Sequence, residues 1–153
     1  MDKYIFLDID GVLNNDATTS LTTEGYIFVD DYLVERLAEI VKATNAKLIL
    51  SSDWRMEWIS DNDDDNGVDF IELKEKLAEY NLYLIDKTGP IRNFRHLEIE
   101  EYLADHPEIQ NYIIIDDRTD AGIRNHFIKT NGHNGLSIRN MEQAIDMLKS
   151  GGV

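Results

Sequence analysis

The chain has 153 residues, 30 acidic against 15 basic, and a formal net charge of −15. That length suits one domain around one core, and the charge argues against a broad nucleic-acid footprint while leaving room for a small anionic group held locally by metal and arginine. Cysteine is absent, which excludes disulfides and thiolate metal sites, and no early signal-like segment or membrane-length apolar run is present, so a soluble cytoplasmic protein with no membrane partner is expected.

Residues 4–7 are apolar and read as a buried strand that runs directly into Asp8-Ile9-Asp10-Gly11. The two carboxylates then stand at the carboxyl edge of a sheet, where open α/β sheets bind ligands; Asp-x-Asp-Gly also closes ordinary strand-to-turn junctions, so alone it leaves chemistry and turn geometry both open. Residues 14–30 are polar and Thr-rich and read as a loop or small hairpin. Asp30 has the character of an N-cap, and Leu33, Leu37, Ile40 and Val41 recur at helical spacing as far as about Thr44. A second apolar strand over 47–50 ends in Ser51-Ser52 and begins a β-α-β crossover. A short helix is predicted over 54–59, an acidic stretch over 61–66, and an amphipathic helix on Phe70, Leu73, Leu77 and Tyr80. A third strand is expected over 82–85. Thr88-Gly89-Pro90 breaks the chain, Ile99, Tyr102 and Leu103 give a helical face, and the apolar strand 112–115 ends in Asp116-Asp117. A fifth strand near Phe127-Ile128, a turn over 131–135 and a last helix capped near Ser137 close the pattern.

Strands alternating with helices predict an α/β fold over a single domain, residues 1–153: a Rossmann-like three-layer α/β/α arrangement with a parallel sheet of about five strands and minimal or no cap. Polar residues follow three of the strands: Asp8/Asp10, Ser51/Ser52 and Asp116/Asp117. Turn propensity explains one such strand end easily and three poorly, which points to a site.

These segments resemble the haloacid dehalogenase-like (HAD) superfamily of phosphohydrolases and phosphotransferases across nearly the whole chain. Its first motif is matched by Phe6-Leu7-Asp8-Ile9-Asp10-Gly11-Val12-Leu13, its second by Leu48-Ile49-Leu50-Ser51 and its fourth by Ile113-Ile114-Ile115-Asp116-Asp117. The third motif usually supplies Lys; here the candidates are Arg95 and Arg92, with Arg95 favoured because it directly precedes the helix leading into the Asp116 strand. Arg95-x-x-Glu98-Ile99 and Ser51-Ser52-Asp53-Trp54-Arg55 are similar to a small HAD subfamily of nucleic-acid repair proteins, and Asp116-Asp117-Arg118 resembles polynucleotide phosphatases and deoxyribonucleotidases.

The resemblance implies a Mg²⁺-dependent phosphomonoesterase. Asp8 is the implied nucleophile, forming an aspartyl-phosphate, and Asp10 the acid and base; Ser51 holds a phosphoryl oxygen, and Arg95 neutralises charge. Mg²⁺ is implied on the Asp8 carboxylate, the Asp10 carbonyl and Asp117, with Asp116 joined through water and Asp120 either orienting that network or facing solvent. Ser52 and Arg55 are candidate substrate contacts. Trp54 either stacks on a base or packs, and Trp58 is expected in the core. The implied substrate class is a nucleotide or polynucleotide terminal phosphate. A non-catalytic binding module, regulated by Ca²⁺, is the alternative, and transfer to an acceptor other than water uses the same residues.

Residues 61–72 place acids at positions 1, 3, 5, 9 and 12 of an EF-hand-like loop, with Val68 at position 8 and Asn66 where glycine is expected at position 6. This segment is either a weak Ca²⁺ site or a solvated acidic loop that caps the next helix. His96, His106, His126 and His133 lack metal-ligand spacing and read as surface or capping residues. Oligomeric state is not legible.

Overall fold

The computed structural model describes residues 1–89 and 94–151. Five parallel strands, β1 (Lys3–Leu7), β2 (Lys47–Leu50), β3 (Leu84–Lys87), β4 (Asn111–Asp116) and β5 (Phe127–Lys129), lie in the order β3-β2-β1-β4-β5. Among the described residues, three α-helices connect strands, α1 (Asp31–Thr44), α2 (Val68–Ala78) and α3 (Arg95–Asp105), and a fourth, α4 (Ile138–Lys149), follows β5. This is the three-layer α/β/α arrangement expected from the alternating pattern.

The alternation of β1 sorts its side chains between two cores. Ile5 and Leu7 pack with Leu48, Leu50, Ile113 and Ile115 against α1, α2 and α4, whereas Tyr4 and Phe6 meet Ile49 and Ile114 on the face covered by Ile99 and Tyr102 of α3. Central strands buried on both faces are why the sequence reads as continuous apolar runs there.

Register sets the site. Leu7 pairs with Leu50 on one side and Ile115 on the other, so Asp8, Ser51 and Asp116 are the next residues out on three adjacent strands. Backbone bonds continue one step beyond the ladder: Asp8 N donates to Ile115 O at 3.0 Å, Ser51 N to Leu7 O at 2.8 Å, and Thr130 N to Asp116 O at 3.0 Å.

Three local expectations shift. Leu82, expected in the third strand, instead plugs the core after α2, with its amide on Leu77 O and Asn81 in a left-handed turn (φ 59°), so β3 begins at Leu84. The segment after β2 is a five-residue 3-10 turn, Asp53–Glu57, started by Ser52 Oγ accepting from Trp54 N. Asp30 occupies the N-cap position of α1, yet its carboxylate accepts from Thr18 Oγ1 at 2.6 Å and not from a helix amide. The α4 cap at Ser137 is a reciprocal box with Asn140. Residues 20–28 form the small hairpin, bridged by Leu21 and Ile27, and its tip is tied to α2 through Thr23 N on Glu72.

Candidate active site

Asp8, Asp116 and Asp117 each bring a carboxylate oxygen to within 4.8 Å of the others, the group that converges in this way among the described residues. Asp8 is 5% exposed and Asp116 fully buried. Burial, and then the neighbouring Asp116, raises the Asp8 carboxyl well above the ordinary carboxylate range; burial raises Asp116 as well. Asp8 and Asp116 face one guanidinium, that of Arg95, and Asp117 adds a third carboxylate beside them. That excess of buried negative charge on hard oxygen donors fits a divalent cation such as Mg²⁺.

Gly11 makes the cluster possible. Its φ is +80°, and a Cβ there would stand 2.1 Å from Asp117 Oδ2, so no other residue lets Asp117 reach its place. The loop is pinned by Gly11 N on Asn14 Oδ1 at 2.9 Å and by Thr130 Oγ1 on Gly11 O at 2.7 Å. Asp10 sits on the same turn with one oxygen accepting from Asn14 Nδ2 (2.9 Å) and the other from Trp54 Nε1 (3.2 Å). Trp54 is therefore part of the site, while Trp58 stacks on Phe70 at 5.0 Å as a packing residue.

Arg95, the first residue of α3, supplies the buried cation. Its Nη1 donates to Ser51 O at 2.7 Å and to Asp116 Oδ2 at 3.2 Å, and lies 3.3 Å from Asp8 Oδ1. Burial opposes its charge, but the facing Asp8 and Asp116 outweigh that and hold the guanidinium charged. Asp120 is tied to Arg95: its Oδ2 accepts from Arg95 N at 3.0 Å, and both its oxygens take bonds from Arg118. Arg92 lies outside the described residues.

Ser51 is 1% exposed and among the described residues its Oγ has no hydrogen-bond partner; the same holds for Thr88 Oγ1, just past β3. Partnerless buried hydroxyls at a sheet edge suit an incoming oxyanion. Ser52 and Arg55 are placed differently from the expectation of substrate contact. Ser52 Oγ caps the 3-10 turn, and the tight turn curls Arg55 back so that its guanidinium donates to Ser52 O at 2.8 Å and to Glu98 Oε1 at 2.9 Å, both partners buried. These residues hold β2 and α3 in relation to one another behind the cluster.

The EF-hand reading of 61–72 is also corrected. Residues 63–65 form a 3-10 turn, Asp63 pairs with Lys74, Asp65 accepts from Ser60, Glu72 turns away to Thr23 N, and Asn66 has φ −96° where that loop needs left-handed backbone. Those carboxylates are tied to separate partners, and the acids of 61–72 form no converging group among the described residues, so the structure lends the Ca²⁺ alternative no support. The four histidines behave as expected: His96 on Asp120 O, His106 on Tyr102 O, His126 on Tyr112 O, and exposed His133 beside Asp16. Sequence reasoning gave no role to Asn14, Thr88, Glu98 or Thr130. Glu98 stands within a motif segment and Asn14 directly follows the first motif, so both carried a signal; Thr88 and Thr130 lie just past strands and carried none.

A parallel α/β sheet that presents an Asp-x-Asp-Gly turn, a buried serine, a buried arginine and an acidic pair along one edge defines a haloacid dehalogenase-like domain. The chain belongs to the family described as the HAD domain in Swiss Army Knife RNA repair proteins, whose profile matches residues 4–141. Comparison with curated proteins found no match. Among the described residues no helix is long and apolar enough to cross a membrane.

Proposed function

We propose that this protein is a Mg²⁺-dependent phosphomonoesterase acting on a nucleotide or on the terminal phosphate of a nucleic acid. The observation that carries the reading is the register-matched convergence of Asp8, Ser51 and Asp116, with Arg95 behind them and the Ser51 hydroxyl without a partner among the described residues.

Asp8 attacks phosphorus, the bond to the leaving oxygen breaks, and Asp10 gives that oxygen a proton. Water then gives a proton to Asp10 and attacks the phosphorus of the aspartyl-phosphate, breaking the bond to Asp8 and releasing phosphate. Ser51 Oγ and the Arg95 guanidinium hold the phosphoryl oxygens, with Arg95 kept on station by Ser51 O and Asp120. Asn14 and Trp54 fix the Asp10 carboxylate for both proton transfers. Asp8, Asp116, Asp117 and the Asp10 carbonyl would hold Mg²⁺, which when bound offsets the repulsion between a carboxylate nucleophile and a phosphate ester. Arg95, where the superfamily usually has Lys, brings the same charge on a planar fork.

The family supports a nucleic-acid-end substrate, and the net charge of −15 supports engagement of an end over a long tract. The test is phosphate release, with and without Mg²⁺, from nucleotides, 3′- and 5′-phosphorylated oligonucleotides, sugar phosphates and phosphopeptides, with Asp8→Asn as control. Release from nucleotides or oligonucleotide ends that needs both Mg²⁺ and Asp8 is expected. Release that persists in Asp8→Asn, or none across the panel, overturns the reading. Adding an alcohol or nucleoside acceptor separates hydrolysis from phosphotransfer.

A further inference from the structure

Beside Asp10 lies a cleft of about 450 Å³, walled by Tyr26 and Ile27 of the hairpin on one side and by Trp54 and Met56 of the 3-10 turn on the other. That volume falls within the range of small-molecule sites, roughly 300–1,000 Å³. Tyr26 is 64% exposed, and Ile27 and Met56 are also open to solvent. Apolar side chains gathered around a cleft next to reacting groups mark a binding surface more than chance exposure.

Among the described residues the charges in the cleft are all of one sign: Asp53, Glu57 and Asp69 join Asp10, and no lysine, arginine or histidine lines it. A second phosphate is therefore repelled. Asp69, near the start of α2, is 5% exposed, and its Oδ1 has no hydrogen-bond partner among the described residues. A carboxylate oxygen taken out of water without a donor is costly, and a ligand carrying N–H groups would satisfy it.

We propose that this cleft is the leaving-group subsite of the phosphomonoesterase reading on which it rests, and that it takes a nucleoside. The base lies flat between the hairpin and the Trp54 turn, and its edge donors meet Asp69. Guanine presents two N–H groups side by side, which match a carboxylate; uracil presents one, flanked by two carbonyl oxygens that a carboxylate repels. Asp69 is thus the specificity residue, and guanine is preferred to uracil.

Binding of guanosine and uridine, which carry no phosphate, to the wild-type protein by calorimetry tests the subsite without turnover. Phosphate release from guanosine and uridine monophosphates and from glycerol phosphate tests the reaction separately. Guanosine is expected to bind about tenfold tighter than uridine, Tyr26→Ala to weaken guanosine about tenfold through lost stacking, and Asp69→Asn to erase the preference. Tyr26→Ala should leave glycerol phosphate turnover unchanged, since that ester does not fill the cleft. Equal or undetectable binding of the two nucleosides, or parallel loss of glycerol phosphate turnover in Tyr26→Ala, overturns the subsite even where phosphate is released. The expected binding pattern with no release from any ester overturns the phosphatase instead and leaves the base site standing. Tyr26 is exposed, so its variant keeps the test sound should Asp69→Asn fail to fold.

Discussion

Arg55→Ala separates a phosphate-gripping residue from a structural one. The guanidinium is 4% exposed and donates to Ser52 O and Glu98 Oε1 at 2.8 and 2.9 Å. Its removal takes from buried Glu98 the guanidinium at 2.9 Å, and removing one member of a buried ion pair costs about 3–5 kcal/mol. At about 2–4 °C per kcal/mol for a domain of this size, the expected fall in Tm is on the order of 10 °C. Glu98 also lies 3.9 Å from Arg95 Nε, so activity should drop through kcat as Arg95 drifts toward Glu98, not through KM alone. Urea unfolding gives the stability change, and steady-state kinetics at a temperature where the variant is folded gives the split. A variant with wild-type Tm and a selectively raised KM would refute the structural role and return Arg55 to the substrate.

Further outcomes follow from the same geometry. Gly11→Ala meets Asp117 Oδ2 at 2.1 Å on a left-handed backbone, so a loss of about 1–2 kcal/mol from the backbone alone is expected, with Mg²⁺ affinity by calorimetry falling about 10- to 100-fold; unchanged metal binding would show that Asp117 is not a ligand. Arg95→Ala should lower kcat/KM by about 10²-fold or more, and Arg95→Lys should recover part of it by restoring charge without the fork; full activity in Arg95→Ala would remove the residue from the reaction. The Asp120 carboxyl is held below its ordinary value of 3.8 by its bonds from Arg118 and from Arg95 N, against the opposing effect of burial. Its folded value lies below the unfolded one, so its stabilisation is present above about pH 4 and is lost as pH falls through the lowered value. The stability gap between wild type and Asp120→Ala, about 1 kcal/mol at neutral pH from the lost α3 cap, should therefore close in acid, and a gap independent of pH would exclude the carboxylate as its source.

Much of this was legible in the sequence because both determinants are local. Apolar runs of three or four residues mark β1, β2 and β4, buried on both faces, and polar residues placed immediately after them must emerge at one edge once the strands are parallel. β3 was displaced because an apolar Leu82 serves equally well as a strand residue or as a plug after a helix, and periodicity does not distinguish these. The EF-hand pattern failed for a related reason: acids at the right intervals bind Ca²⁺ only if the backbone turns left-handed at the sixth position, and Asn66 instead spends its side chain on the amides of Ile59 and Ser60.

By itself the sequence determined the α/β class, the order of elements and the residue types at the strand ends, since these depend on hydrophobic period and neighbours along the chain. Only the tertiary structure decided which side chains share a site. Whether Arg55 faces phosphate or Glu98, whether Trp54 reaches Asp10, and whether Asp69 lines a cleft beside the hairpin depend on contacts between elements distant along the chain, where direction and register, which spacing does not encode, settle the partner.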